Sequence, residues 1–296
     1  MLSLARACRR GSVPIGILYY HRVADVDPGP WTIGQQAFET QINWLEKNFD
    51  IVPLAEAQQR IRRAHNSTPT LCITFDDGYA DNSSFALPLL IRRSIPFTYF
   101  VTTTHPRTGS PFAHDVARGS PQLPNSVATL QALLAAGVEI GGHTRNHPDL
   151  GKIEDPEQLF DEVITATRDL EQMLGHAVRY FAFPFGQLEN LNPHVFGLAR
   201  RHGFAGVCSA YGGWNEIGED AFHLQRFHGD PELARIRNWL TRDPRNRHAW
   251  QTRHVEQMLQ QTSSGPVNGG RTATPVLPPL AGLGAPSSAE RQASDS

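Results

Sequence analysis

The chain has 296 residues, with 27 Lys+Arg against 29 Asp+Glu for a formal net charge of −2, and this near balance excludes a polycation built to coat nucleic acid. Hydrophobic residues make up 40% of it, enough for a large core, so disorder of the whole chain is excluded as well. Its length admits one barrel-sized domain or two smaller ones.

In chain order, residues 1–12 read as a short N-terminal extension. Arg6, Arg9 and Arg10 flank apolar stretches of two residues, too short for a secretory leader, which needs about 7–15. No run approaches the roughly 18 apolar residues of a membrane span. The expected location is the cytosol, with a secreted or periplasmic one only if the start codon is misassigned. From 13 to 231, β-rich runs alternate with stretches of helical spacing. The predicted strands are IGILYY (15–20), TLCITF (70–75), FTYFVT (97–102), VEIGG (138–142), RYFAFP (179–184) and FAGVCSA (204–210). Between them, Phe38, Ile42 and Leu45 mark one helix, Phe85 and Leu89 a second, Val127, Leu130 and Leu133 a third, and Leu159, Val163, Ala166, Leu170 and Leu174 the longest. Asp155-Pro156-Glu157 caps that last helix and Gly175 stops it. The loop 103–125, with His105, His114 and Asp115, is long enough to shape a rim. Residues 232–261 suggest two short helices broken at Asp243-Pro244. Residues 262–296, of which 16 of 35 are Gly, Pro or Ser, read as a disordered tail. Cys8, Cys72 and Cys208 have no CxxC spacing and read as buried or incidental thiols.

Strands alternating with helices imply parallel pairing through right-handed crossovers. Six or seven such units, none followed by a Gly-rich dinucleotide turn, favour a (β/α)7–8 distorted barrel with one catalytic domain over 13–231. In such a barrel the chemistry lies where strands end. Asp76-Asp77-Gly78 follows TLCITF, and two carboxylates there repel unless something positive sits beside them. His143 and His147 follow VEIGG; on a helical turn an i, i+4 pair would present both imidazoles to one ion, and a strand-end aspartate would complete a three-ligand catalytic metal site. Phe183-Pro184-Phe185-Gly186 reads as a tight turn at the same rim, able to aim backbone N–H groups at an oxyanion. Arg179 could pair with one of the aspartates.

TFDDGY (74–79), HTRNH (143–147) and RYFAFPFG (179–186), in that order, resemble the first three motifs of the polysaccharide deacetylase family, the NodB-homology or family 4 carbohydrate esterases. ILYYHRV (17–23) is similar to the N-terminal strand of the subset that deacetylates poly-N-acetylglucosamine. The resemblance implies a NodB-like barrel in which Asp77, His143 and His147 bind a divalent metal, zinc first and cobalt, nickel or manganese after it. It implies Asp76 as the general base, Arg179 as its tether and the Phe185 N–H as an oxyanion donor. The general acid is His21 or His228, and strand-end placement favours His21. The family's Asp-x-x-Asp-Trp segment has no clean counterpart; Trp214 in YGGWN is the nearest candidate for a sugar wall, with Tyr79 a further substrate contact. Phe185 stands where Tyr is frequent. The expected activity is removal of N-acetyl groups from a saccharide. The alternatives are an O-acetyl esterase or small-amide deacetylase on the same scaffold, or a catalytically silent sugar-binding protein. The expected partner is an N-acetylated carbohydrate, with no nucleic acid.

Overall fold

The computed structural model describes residues 2–229 and 231–240. The expected helical segment 241–261 and the expected tail 262–296 lie outside the described residues. The strands are β1 (Ile15–Tyr20), β2 (Arg22–Val23), β3 (Thr32–Ile33), β4 (Asp50–Ile51), β5 (Thr70–Phe75), β6 (Thr98–Val101), β7 (Glu139–Gly142), β8 (Tyr180–Ala182), β9 (Gly206–Cys208), β10 (His223–Leu224) and β11 (Phe227–His228). Nine of them form one sheet in the order β10-β9-β8-β7-β6-β5-β1-β11, with β4 beside the start of β5. Every pairing in it is parallel. The two edges, β10 and β11, belong to one segment, residues 223–228. Its first half pairs with β9 and its second half with β1, so a single bent run of chain meets both edges of a distorted (β/α) barrel.

Side chains alternate across a strand with a period of two, and that parity organises the molecule. On β5, Leu71, Ile73 and Phe75 face outward into the apolar layer shared with Phe38, Ile42 and Leu45 of helix Gln35–Asn48. Cys72 faces inward with Ile15 and Ile17 of β1, Phe100, Tyr180, Ala182, Cys208 and Leu224. The inward sets continue past the strand ends: Cys72, Thr74, Asp76 on β5; Ile15, Ile17, Tyr19, His21 on β1; Leu224, Arg226, His228 on the closing segment. Apolar residues fill the lower barrel and polar ones emerge at its upper rim. At Gly141 on β7 a Cβ would lie 2.3 Å from the Phe100 ring, so this interior space is already filled.

All six predicted strands are present, the later four shorter than expected. The short strands β2, β3, β4, β10 and β11 carry too few residues to show a period. Asp155 accepts the Glu157 N–H as an N-cap, and Gly175 ends the longest helix in the left-handed region. That helix is not continuous α, because Asp161–Thr165 forms a π turn. The extension is itself helical over Leu2–Arg10. Leu233–Leu240 packs Ile236 and Leu240 into the outer layer.

Candidate active site

The first loop departs sharply from its strand. The Gly78 N–H donates to the Asp76 carbonyl at 2.9 Å, and Asp77 between them has φ 74°, a γ-turn of the uncommon positive-φ kind. Its consequence is chemical: Asp76 keeps the inward parity of β5, while Asp77 is swung aside. Adjacent carboxylates thereby acquire different neighbours. The same device recurs after β8, where the Gly186 N–H donates to the Pro184 carbonyl at 2.6 Å and Phe185 has φ 60°. Non-glycine residues in such conformations cost about 1–3 kcal/mol each and persist where the surroundings enforce them.

Asp77 faces the two histidines. Its Oδ1 lies 3.4 Å from His143 Nε2 and 3.2 Å from His147 Nε2, and the three ligand atoms lie within 4.8 Å of one another. The pair is not on a helical turn, as its spacing suggested. Residues 143–147 form a loop after β7, with Thr144 at φ 66° and His147 at φ 61°, and this fold of the backbone brings the imidazoles together. His143 Nδ1 contacts the Ala182 carbonyl at 2.8 Å, which turns Nε2 toward Asp77. Asp77 Oδ1 is buried without a hydrogen-bond partner of good geometry. An orphaned carboxylate oxygen between two imidazoles fits a divalent ion, and two nitrogens with one oxygen suit zinc or a neighbouring transition metal. Burial opposes ionisation of Asp77, but His147 and His143 hold its carboxyl well below the usual range.

The ligand loop is gripped from behind by the π turn. Glu162, 5% exposed, accepts the backbone N–H of Arg145 at 2.9 Å, that of Asn146 at 3.0 Å and the Asn146 side chain at 2.9 Å. Arg145 spreads over Asp161 and Asp169. π turns often occur where a helix serves a functional loop.

Asp76 is not tethered by Arg179. Arg179 begins the run into β8, at the lower end of the barrel, and pairs on the surface with Glu139. Arg226 takes the place expected for it. Its guanidinium donates Nη1 to Asp76 Oδ1 at 2.7 Å and Nη2 to Oδ2 at 2.9 Å, with further bonds to Thr74 Oγ1 and the Ser209 carbonyl. It lies between the Tyr19 and Phe100 rings, 4.9 and 5.3 Å from their centroids. Burial pushes the Asp76 carboxyl up, yet Arg226 and His143 more than offset this and leave it below its ordinary value. Sequence reasoning missed Arg226, which sits between two strands of two residues each.

A cleft of about 540 Å³ opens over these groups, lined by Asp76, Asp77, His143 and His147 with Tyr19, His21, Trp31, Phe185, Gln187 and Ala210 among others. Phe185 is exposed and packs against His147, ring centroids 5.0 Å apart. His21 lines the cleft, whereas His228 lies beyond it, 5.3 Å from the Tyr19 and Trp31 rings and 6.2 Å from His21. Trp214 is not a cleft wall: it packs beside Gly16 and Phe227 in the outer layer, level with the start of β1. The indole at the rim is Trp31, half exposed and 5.1 Å from the His21 ring. Tyr79 is likewise removed from the substrate side, buried with its hydroxyl donating to Asp115 at 2.8 Å. The long loop folds into helices Thr104–Thr108 and Ala113–Ala117 and gives His114 and Arg118 to the cleft wall.

A family model described as polysaccharide deacetylase matches residues 63–207. Over that segment, just under half of its length, the chain carries a polysaccharide deacetylase domain. Over 126 residues it is 29% identical to a chitooligosaccharide deacetylase of Bradyrhizobium sp. (strain ANU 289), covering 41% of this chain and 48% of that protein, about half of that relative's length. Over 220 residues it is 24% identical to the putative polysaccharide deacetylase YxkH of Bacillus subtilis (strain 168), covering 74% and 72%. Among solved structures, IcaB from Ammonifex degensii superposes with TM-score 0.63 at 24% identity, over 77% of this chain and 97% of that one. A Streptococcus pyogenes deacetylase, PplD in complex with acetate, does so with TM-score 0.65 at 19% identity, over 77% and 99%. These likenesses share the barrel. His21 and Arg226 both fall outside the matched segment 63–207 and reach the site only through the fold.

Proposed function

We propose that this protein is a metal-dependent hydrolase that removes N-acetyl groups from an acetylated amino-sugar oligomer or polymer. The observation that carries the reading is the division of labour between adjacent carboxylates: Asp77 joins two imidazoles, while Asp76 is held by a buried bidentate arginine and still lines the cleft. When bound by Asp77, His143 and His147, a divalent ion, zinc first, supplies a Lewis acid that polarises the acetyl carbonyl and brings the pKa of water toward about 7. Asp76 accepts the proton of the attacking water, and Arg226 keeps that carboxylate ionised and fixed in direction. The Phe185 N–H, at the crest of the second γ-turn, faces the developing oxyanion. His21 delivers a proton to the leaving nitrogen. Burial lowers the pKa of its imidazole against the upward pull of Asp77 and Asp76. Trp31 offers an apolar face to a sugar ring. The relative named as a chitooligosaccharide deacetylase supports N-acetylglucosamine oligomers as the first substrate to try.

The test is acetate release from those oligomers by purified protein, before and after chelation and on re-addition of zinc or cobalt, with Asp76→Asn as the control. Metal-dependent release that disappears in Asp76→Asn is the expected result. Stoichiometric metal binding without acetate release would overturn the substrate, and release that survives chelation would overturn the mechanism. Acetate released faster from O-acetyl esters than from amides would favour the esterase alternative.

A further inference from the structure

We propose that Asn82 is a positioning residue for His21, and that the short helix Asp81–Ser84 is a latch holding the 21–31 arm over the cleft. The inference rests on the reading of His21 as the general acid. The helix follows the Asp76-Asp77-Gly78 turn almost at once, so a clamp on it ties the arm to the two carboxylates. Asn82 is fully buried. Its Nδ2 donates to the His21 carbonyl at 2.6 Å and its Oδ1 accepts the Val23 N–H at 2.9 Å. One amide therefore spans the backbone from 21 to 23.

The residue between them completes the latch. Arg22, 4% exposed, pairs with Asp81, the neighbour of Asn82. It also donates to the carbonyls of Val26, at 2.8 Å, and Asp27, which holds the loop leading to Trp31. Two consecutive side chains of one helical turn thus grip both the part of the arm that carries His21 and the part that leads to Trp31. This anchoring matters because the imidazole lacks the usual orienting partner. Among the described residues His21 Nδ1 is buried with no hydrogen bond, whereas a proton-transferring histidine is commonly aimed by a carboxylate or carbonyl on its other nitrogen. The ring takes its direction from the backbone it hangs on and from the Tyr19 and Trp31 rings, 5.6 and 5.1 Å away. Loosening the backbone should misplace the proton donor and leave the metal ligands and the base where they are.

Two substrates separate these effects. Release of an amino sugar from its acetamide needs a proton on the leaving nitrogen, whereas p-nitrophenyl acetate expels a phenolate that departs unprotonated. Asn82→Asp keeps the shape and the acceptor for Val23 but removes the donor to His21. It should lower kcat on N-acetylglucosamine oligomers by about tenfold to a hundredfold, the scale of a displaced catalytic group. The p-nitrophenyl acetate rate and the zinc affinity, read by titration of the apoprotein, should stay unchanged. A parallel loss on both substrates, a fall in zinc affinity, or no change on either substrate would overturn the latch. Should Asn82→Asp fail to fold, Asp81→Asn loosens only the Arg22 bridge and should give a smaller loss with the same selectivity; equal loss on both substrates would again overturn it. His21→Ala separates the two readings. It should lose the amide and keep the ester, and if it keeps both, the assignment of His21 fails and the latch falls with it.

Discussion

Two arginine–carboxylate pairs stand at opposite ends of the same barrel. Arg226 and Asp76 meet at the upper rim with side chains 0% and 4% exposed, whereas Arg179 and Glu139 meet at the lower end with 52% and 19% exposed. Chemically they are alike, and physically they are not. Water screens the lower pair, which contributes little to stability. The upper pair is almost wholly withdrawn from bulk water, so each charge depends on the other and on the Thr74 and Ser209 oxygens around it. Burial converts a surface ornament into a part whose loss the fold cannot absorb, and it does so where a carboxylate has to stay ionised.

The contrast can be broken by removing one arginine at a time. Arg226→Met should abolish acetate release and cost about 3–5 kcal/mol in urea unfolding, because it strands a buried carboxylate. Adding Asp76→Asn to that variant should restore part of the lost stability and none of the activity, since the stranded charge is gone. Asp76→Asn alone should reduce the hydrolytic rate by about 10²–10⁴-fold while equilibrium dialysis still finds bound metal. Glu162→Gln, which weakens the grip on the histidine loop, should cost about 1–3 kcal/mol in the same unfolding assay. Arg179→Met should change stability by no more than about 0–1 kcal/mol and leave acetate release as it was. A large effect at Arg179 would erase the distinction between the two ends.

Much of the upper rim is legible in the sequence because long strands announce themselves. IGILYY and TLCITF end where the structure ends them, and the polar residues after them line the cleft. Arg179 misled because it opens the recognised motif RYFAFPFG, yet it precedes its strand and so belongs to the lower end by the same rule that placed Asp76 at the upper. Arg226 was hidden for the opposite reason. It sits between two strands of two residues each, and no periodicity can be read over so short a span. Trp214 misled on similar grounds: an indole in a Gly-rich stretch looks exposed, but it packs beside Gly16 and Phe227, and the half-exposed indole at the rim is Trp31. The tight turn at 183–186 was legible from its Pro and Gly, but the positive φ of Phe185, like that of Asp77, was not, since neither position holds the glycine that positive φ usually favours.

The segment that joins the two edges of the sheet also fixes when the site can exist. Asp76 and Arg226 are 150 positions apart, and the strand halves flanking Arg226 are the ones that meet β9 and β1. Until residues 223–228 dock, Asp76 lacks its bidentate arginine and the barrel has two open edges. Closure of the sheet and pairing of the proposed base therefore depend on the same segment, through a contact 150 positions long. A nascent or partly unfolded molecule with its last strand undocked would hold its aspartates without being able to use them, so hydrolytic competence would report on completed folding.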